Sequence, residues 1–169
     1  MQRAILTFPD PGLTRVASPV IAFDPALQTL ADDLFDTMRA APGVGITAPH
    51  IGVAQRLVVL DLPALGGRRD FANPQILSVS GTLMRHDEGS VSMPGMVEAL
   101  ERPDAVRLRY QDLQGNGHET ELQGFPAICM QHEIDQLDGI FWILRLSRLK
   151  RERLLRRWEK HKRGQTSLS

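Results

Sequence analysis

Phe125-Pro126-Ala127-Ile128-Cys129-Met130-Gln131-His132-Glu133-Ile134-Asp135-Gln136-Leu137-Asp138-Gly139 carries the strongest signal in this chain of 169 residues. Pro126 suits the first turn of a helix and Gly139 the position just past its end. Ala127, Met130, Ile134 and Leu137 recur at helical spacing, and Phe125, Ile128 and Cys129 add a second apolar patch. A helix apolar on most sides belongs inside a core. This one nevertheless holds His132, Glu133 and Asp135 near its middle. Buried ionisable groups are costly unless paired, metal-bound or used in chemistry. His132 and Gln136 lie four residues apart and so share a face. A histidine at 136 would approach the His-Glu-x-x-His pattern of zinc hydrolases; glutamine stands there instead.

Upstream, Ile5–Pro11 is too proline-rich for regular structure and reads as an extended lead-in. Asp24 and Pro25 read as N-cap and first position of a helix to about Ala41, with Leu27, Leu30, Leu34 and Met38 on one stripe. Gly43 to His50 reads as a Gly/Pro loop whose glycines let the backbone approach a ligand or a strand. Leu57–Leu60 is a short buried strand, Gly66–Arg69 a turn, and Ile76–Met84 a strand. Glu88–Gly95 forms a second glycine-containing loop. Val97–Leu100 and Ala105–Tyr110 alternate as strands do, Asp112–Gly117 closes a hairpin, and Glu119–Gln123 is its partner. Residues 142–163 form a last amphipathic helix, with Leu146, Leu149, Leu154 or Leu155, and Trp158 towards the core. Helix, several antiparallel strands, helix, helix makes an α+β chain, with antiparallel sheets around the central buried helix. Residues 1–169 read as one domain, of which 145–169 are the basic C-terminal helix and tail.

Composition narrows the class. Hydrophobic content of 42% and charged content of 24% are ordinary for a globular protein. No run reaches the ~18 apolar residues of a membrane span, and no signal peptide is visible. Cys129, the single cysteine, excludes an internal disulfide framework and makes cytoplasm the natural compartment. Net charge is zero, yet residues 145–164 hold ten of the twenty Lys and Arg. Such a charge run is either a solvated helix face or a docking surface.

Three segments together give the chain a family likeness. Gly43, Gly45 and Ala48 keep part of a Gly-x-Gly-x-Ala-Ala-x-Gln loop, with Thr47 and His50 as departures. Glu88-Gly89-Ser90-Val91-Ser92 matches Glu-Gly-Cys-Leu-Ser apart from Ser90 and Val91. Gln131-His132-Glu133-Ile134-Asp135-Gln136 matches Gln-His-Glu-x-Asp-His apart from Gln136. In this order and spacing the chain resembles the peptide deformylases, which remove the formyl group from the initiator methionine of nascent bacterial proteins. The resemblance implies N-formylmethionyl peptide ends as ligand and Fe²⁺ or Zn²⁺ as the family's metal. It implies metal binding at His132 and at the positions of Ser90 and Gln136, and Glu133 as general acid and base. It assigns the oxyanion to the Val91 N–H and the side chain at 50, and implies docking of the basic helix on ribosomal RNA.

Two of the three implied ligands are therefore changed. A serine hydroxyl is a far poorer ligand than a thiolate, and glutamine binds weakly through its carbonyl oxygen. The resemblance thus implies a degraded metal site, weak or absent metal binding, and little ordinary deformylase activity. Two further readings follow. His50 and His132 would hold a metal between them, with Ser90, Glu88 or water completing a shifted catalytic set. Alternatively Ser90 would act as a metal-free nucleophile, with His132 as base and Glu133 or Asp135 as orienting acid. Glu88 and Arg102 read as a supporting ion pair, Asp135 as a structural partner of a backbone or arginine group, and Cys129 as an inert buried side chain.

Overall fold

The computed structural model describes residues 1–167. Leu168 and Ser169, the end of the expected basic tail, lie outside the described residues. Helix α1 spans Pro25–Ala40, α2 Phe125–Leu137 and α3 Arg148–Thr166. Strands β1 Gly45–Thr47, β2 Leu57–Leu62, β3 Gly67–Val79, β6 Ala105–Gln111 and β7 Gly117–Gln123 make one antiparallel sheet in the order β1-β2-β3-β6-β7. Strands β4 Leu83–Glu88 and β5 Glu98–Pro103 form a separate antiparallel pair.

Strand β2 explains why both helices stay where they are. Side chains alternate between the faces of a strand. Val58 and Leu60 accordingly pack with Met130, Ile134 and Leu137 of α2, while Leu57 and Val59 pack with Leu34 and Met38 of α1. A strand covered on both faces reads as a continuous apolar run, and these four residues are fully buried. Asp24 caps α1 by accepting from the Leu27 N–H at 3.0 Å. Every residue of α2 from Pro126 to Leu137 is buried. Beyond its end, a Cβ at Gly139 would meet the Thr14 carbonyl oxygen at 2.5 Å, with φ at +75°, so only glycine fits. A third cluster joins Leu13, Met93 and Met96 to Trp142, Leu154 and Trp158 and holds α3.

Five expectations need correction. Of the turn expected over Gly66–Arg69 only Gly66 remains a turn, because Gly67–Arg69 already pair with Leu60–Leu62 as part of β3. The 43–50 loop contains strand β1 and a 3-10 turn at Ala48–Ile51, because residues 45–47 pair with Val58–Leu60. The strand expected over 76–84 is the end of β3 and the start of β4, separated at residues 80–82, where the Ser80 hydroxyl donates to Asp104 at 2.6 Å. The final helix is a 3-10 turn at Trp142–Arg145 followed by α3, because the Ser147 side chain starts a new helix by accepting from Lys150 N–H. Phe125 and Leu149 are exposed, since each sits in the first turn of its helix, where the core stripe has not begun.

Candidate functional site

A cavity of about 800 Å³ opens between β1, the segment 86–97 and one stripe of α2. Helix α2 contributes Phe125, Ile128, Cys129, His132 and Glu133, which recur every three or four residues along one side. Gly43, Gly45, His50, Ser90 and Val91 line the same space. Gln136 does not. Its amide donates to the Leu13 carbonyl at 2.6 Å, which directs this side chain into the N-terminal segment.

Beneath the cavity Glu88 organises a network. Arg102 donates to it twice, at 2.6 and 2.9 Å, and its third contact reaches Asp135 at 2.9 Å. Arg145 closes a two-pronged pair on Asp135 at 2.7 and 2.9 Å. The expected Glu88–Arg102 pair and the structural Asp135 are thus both present. His132 Nδ1 meets Glu88 at 2.6 Å. Burial pushes the Glu88 carboxyl up, but its Arg102 and His132 hydrogen bonds outweigh burial and hold it at about 2. Burial lowers the His132 basicity, and the Glu88 hydrogen bond with the Glu133 charge more than reverses this.

The opposite side is unpartnered. Glu133 is buried, its Oε2 has no hydrogen-bond partner, and burial raises its carboxyl to about 7. Gly45 makes room for it, since a Cβ there would meet Glu133 Oε1 at 2.6 Å. A Cβ at Gly43 would meet Val91 at 2.9 Å, which brings the two loops together across the cavity mouth. His50 is 1% exposed. Its Nδ1 accepts from the Thr47 backbone N–H at 2.9 Å, and the Thr47 hydroxyl lies at the same distance. Burial, then the neighbouring His132 charge, lowers His50 to about 3, so the ring is neutral. A neutral ring whose Nδ1 accepts must carry its proton on Nε2. That Nε2 is buried without a partner.

The sequence-based nucleophile does not assemble as expected. The Ser90 hydroxyl accepts from the Ser92 N–H at 3.1 Å, and no hydrogen bond joins Ser90 to His132 among the described residues. The group that orients His132 is Glu88, not Glu133 or Asp135, because Asp135 is held by two arginines. Cys129 also lines the cavity, and burial followed by the Glu133 and Glu88 charges pushes its thiol up to about 12. His86 is the residue that sequence reasoning missed. It lines the cavity and contacts Glu88 at 3.1 Å. Its signal was the period of two in β4, which puts His86 and Glu88 on one face.

With this geometry in view, comparison with known proteins is direct. The family model described as polypeptide deformylase matches residues 2–152. A peptide deformylase-like protein of Brucella melitensis is 58% identical over 158 residues, covering 94% of this chain and 96% of its own. A peptide deformylase of Phenylobacterium zucineum is 43% identical, covering 94% and 96%. The crystal structure of a peptide deformylase from Legionella pneumophila superimposes with a TM-score of 0.91 at 40% identity, over 98% of each chain. The fold is that of a deformylase-type α+β hydrolase. This chain belongs to the polypeptide deformylase family.

Proposed function

We propose that this chain recognises N-formylmethionyl peptide ends in the cytoplasm, and that its metal site is degraded so that ordinary deformylation is weak or absent. Enzymes of the family depend on Fe²⁺ or Zn²⁺. The donors present here do not fit that ion. Gln136 is turned onto the Leu13 carbonyl, the Ser90 hydroxyl is neutral, and both Glu88 oxygens are engaged. Among the described residues no group of three or more His, Cys, Asp or Glu is arranged to hold a metal ion.

One observation carries the reading: the Thr47 N–H fixes the His50 tautomer. Nε2 then carries a proton without a partner and has no lone pair for a cation. The same N–H suits a formyl carbonyl oxygen, with the Val91 backbone N–H as a second donor. Gly45 opens β1 and Gly43 lies two residues before it; β1 is an edge strand of the sheet, along which a peptide adds as an extended strand. Glu133, with its carboxyl at about 7, faces the bound end in a mixed protonation state at neutral pH. On the outer surface, Arg153, Arg156 and Arg163 of α3 are exposed and make no ion pair among the described residues. They supply a cationic face for ribosomal RNA, a contact that rising salt would dissolve in a cosedimentation assay.

The test is calorimetry with formylated and unformylated Met-Ala-Ser, alongside formate release in protein supplied in turn with Fe²⁺, Ni²⁺, Co²⁺ or Zn²⁺. The formylated peptide should bind about tenfold more tightly, the worth of one good buried hydrogen bond. His50→Phe should remove that difference. Formate release that needs metal and vanishes in Glu133→Gln would overturn the reading and favour a metal held by His50 and His132.

A further inference from the structure

One wall of the cavity has no regular structure, and a different helix stands behind it. Pro94, Gly95, Met96 and Val97 line the space in the stretch that joins β4 to β5. Within this stretch the Met93 N–H donates to the Ser90 carbonyl at 3.0 Å and the Met96 N–H to the Met93 carbonyl at 3.2 Å. A segment with so little internal bonding keeps its place through contacts with its neighbours.

Helix α3 supplies them. Met96 packs in the cluster of Leu154 and Trp158. Trp158 stacks on His161 with ring centroids 5.7 Å apart, and that histidine lies against Gly95, where an added Cβ would come within 3.4 Å of it. Lys150 Nζ donates to the Ala99 carbonyl at 3.0 Å, and Arg157 Nη2 donates to the Val97 carbonyl at 3.2 Å. Glu98 sits between the two cations, 3.8 Å from Lys150 and 3.5 Å from Arg157. Its carboxylate also accepts from the Ala99 N–H at 3.0 Å. In the β4–β5 ladder Glu98 pairs with Glu88, so this clamp ends where the buried network begins.

The side chains of Lys150 and Arg157 are 38% and 52% exposed. Ion pairs at that exposure add little to global stability. They can still decide where a loosely bonded segment rests. Neither cation lines the cavity, whereas Val97 does. We infer that Lys150 and Arg157 are positioning residues, which act on a bound peptide end through the wall at Val97 and Glu98 without touching the peptide. This rests on the reading that a peptide end enters the cavity. With the clamp closed the wall is preformed; with it removed, each binding event must order the wall and is weakened accordingly.

The experiment compares wild type, the double variant Lys150→Met/Arg157→Met, and the charge-preserving exchange Lys150→Arg/Arg157→Lys. Each is read by affinity for formyl-Met-Ala-Ser, by amide hydrogen exchange of residues 93–99 without peptide, and by the urea midpoint. The methionine variant should bind about fivefold more weakly. Its exchange should quicken in 93–99, and its urea midpoint should stay close to wild type. The exchanged pair keeps a donor at both positions and should keep the wild-type affinity. An affinity unchanged in the methionine variant overturns the inference, and so does an equal loss in both double variants. Failure of wild type to bind the peptide overturns formyl recognition. In that event quicker exchange confined to 93–99 in the methionine variant still supports the clamp, and unchanged exchange overturns both.

Discussion

The two sides of the cavity differ in how completely their polar atoms are used. On one side both oxygens of Glu88 and both of Asp135 are engaged by Arg102, Arg145, His132 and His86. On the other, His50 Nε2 and Glu133 Oε2 are buried and unpaired. Fully satisfied buried networks rigidify a core, whereas unpaired buried groups raise the free energy of the empty state. The first side is scaffold, and under the proposed function the second is where a ligand is read. The scaffold side is held by its own charges, and neither Ser90 nor Gln136 takes part in it.

Substitution can break this contrast most forcefully at Arg102. Arg102→Leu removes three buried charge-assisted hydrogen bonds, leaving Glu88 to His132 and Asp135 to Arg145, and should cost about 3–5 kcal/mol in urea denaturation. A loss within ~0.5 kcal/mol, the range of ordinary surface changes, would show that the network is not scaffold.

A smaller effect separates the two sides by pH. Glu133 has its folded pKa raised from 4.5 to about 7, so the folded state holds its proton longer than the unfolded one. Stability should fall as pH rises from 4.5 through 7, and Glu133→Gln should recover roughly 3 kcal/mol above pH 7. Glu88, lowered from 4.5 to about 2, acts with the opposite sign. Its contribution is present above pH 4.5 and lost as pH falls through 2. Urea titrations of wild type and Glu133→Gln at pH 5 and pH 8 read the Glu133 effect directly, and parallel curves would remove the distinction.

The smallest expected effect is none. Zinc bound at a hundredfold excess over its Kd would stabilise the fold by ~2.7 kcal/mol. The chelator-treated protein should keep its Tm when zinc is added, and a rise that disappears in His50→Phe would restore a metal to the site.

Much of the fold was legible because α2 is locally consistent. Pro126 opens it, Gly139 follows it, and its apolar spacing leaves no solvent face. The strands were harder at 76–84, where pairing with two different partners, rather than any local preference, divides the run at Ser80. The candidate site was legible as a list of residues and not as a set of bonds. His50, His132, Glu133 and Ser90 do share one cavity. Which nitrogen of His50 faces inward depends on the Thr47 N–H, and no side-chain pattern encodes a backbone donor. Gln136 could be read only as a missing ligand, because its partner Leu13 lies far away in the chain. His86 escaped notice because a lone histidine in a strand carries no motif.

The Gln136–Leu13 hydrogen bond spans 123 positions, and beside it the Ala17 N–H donates to the Leu137 carbonyl at 2.8 Å. The N-terminal segment is thus fastened to the far end of α2, which leaves the ribosome long after it. During synthesis residues 13–17 must wait for residues 136–137 before they find their seat. A position that resemblance assigns to metal binding here serves as a clasp, and its closure waits until α2 has been made.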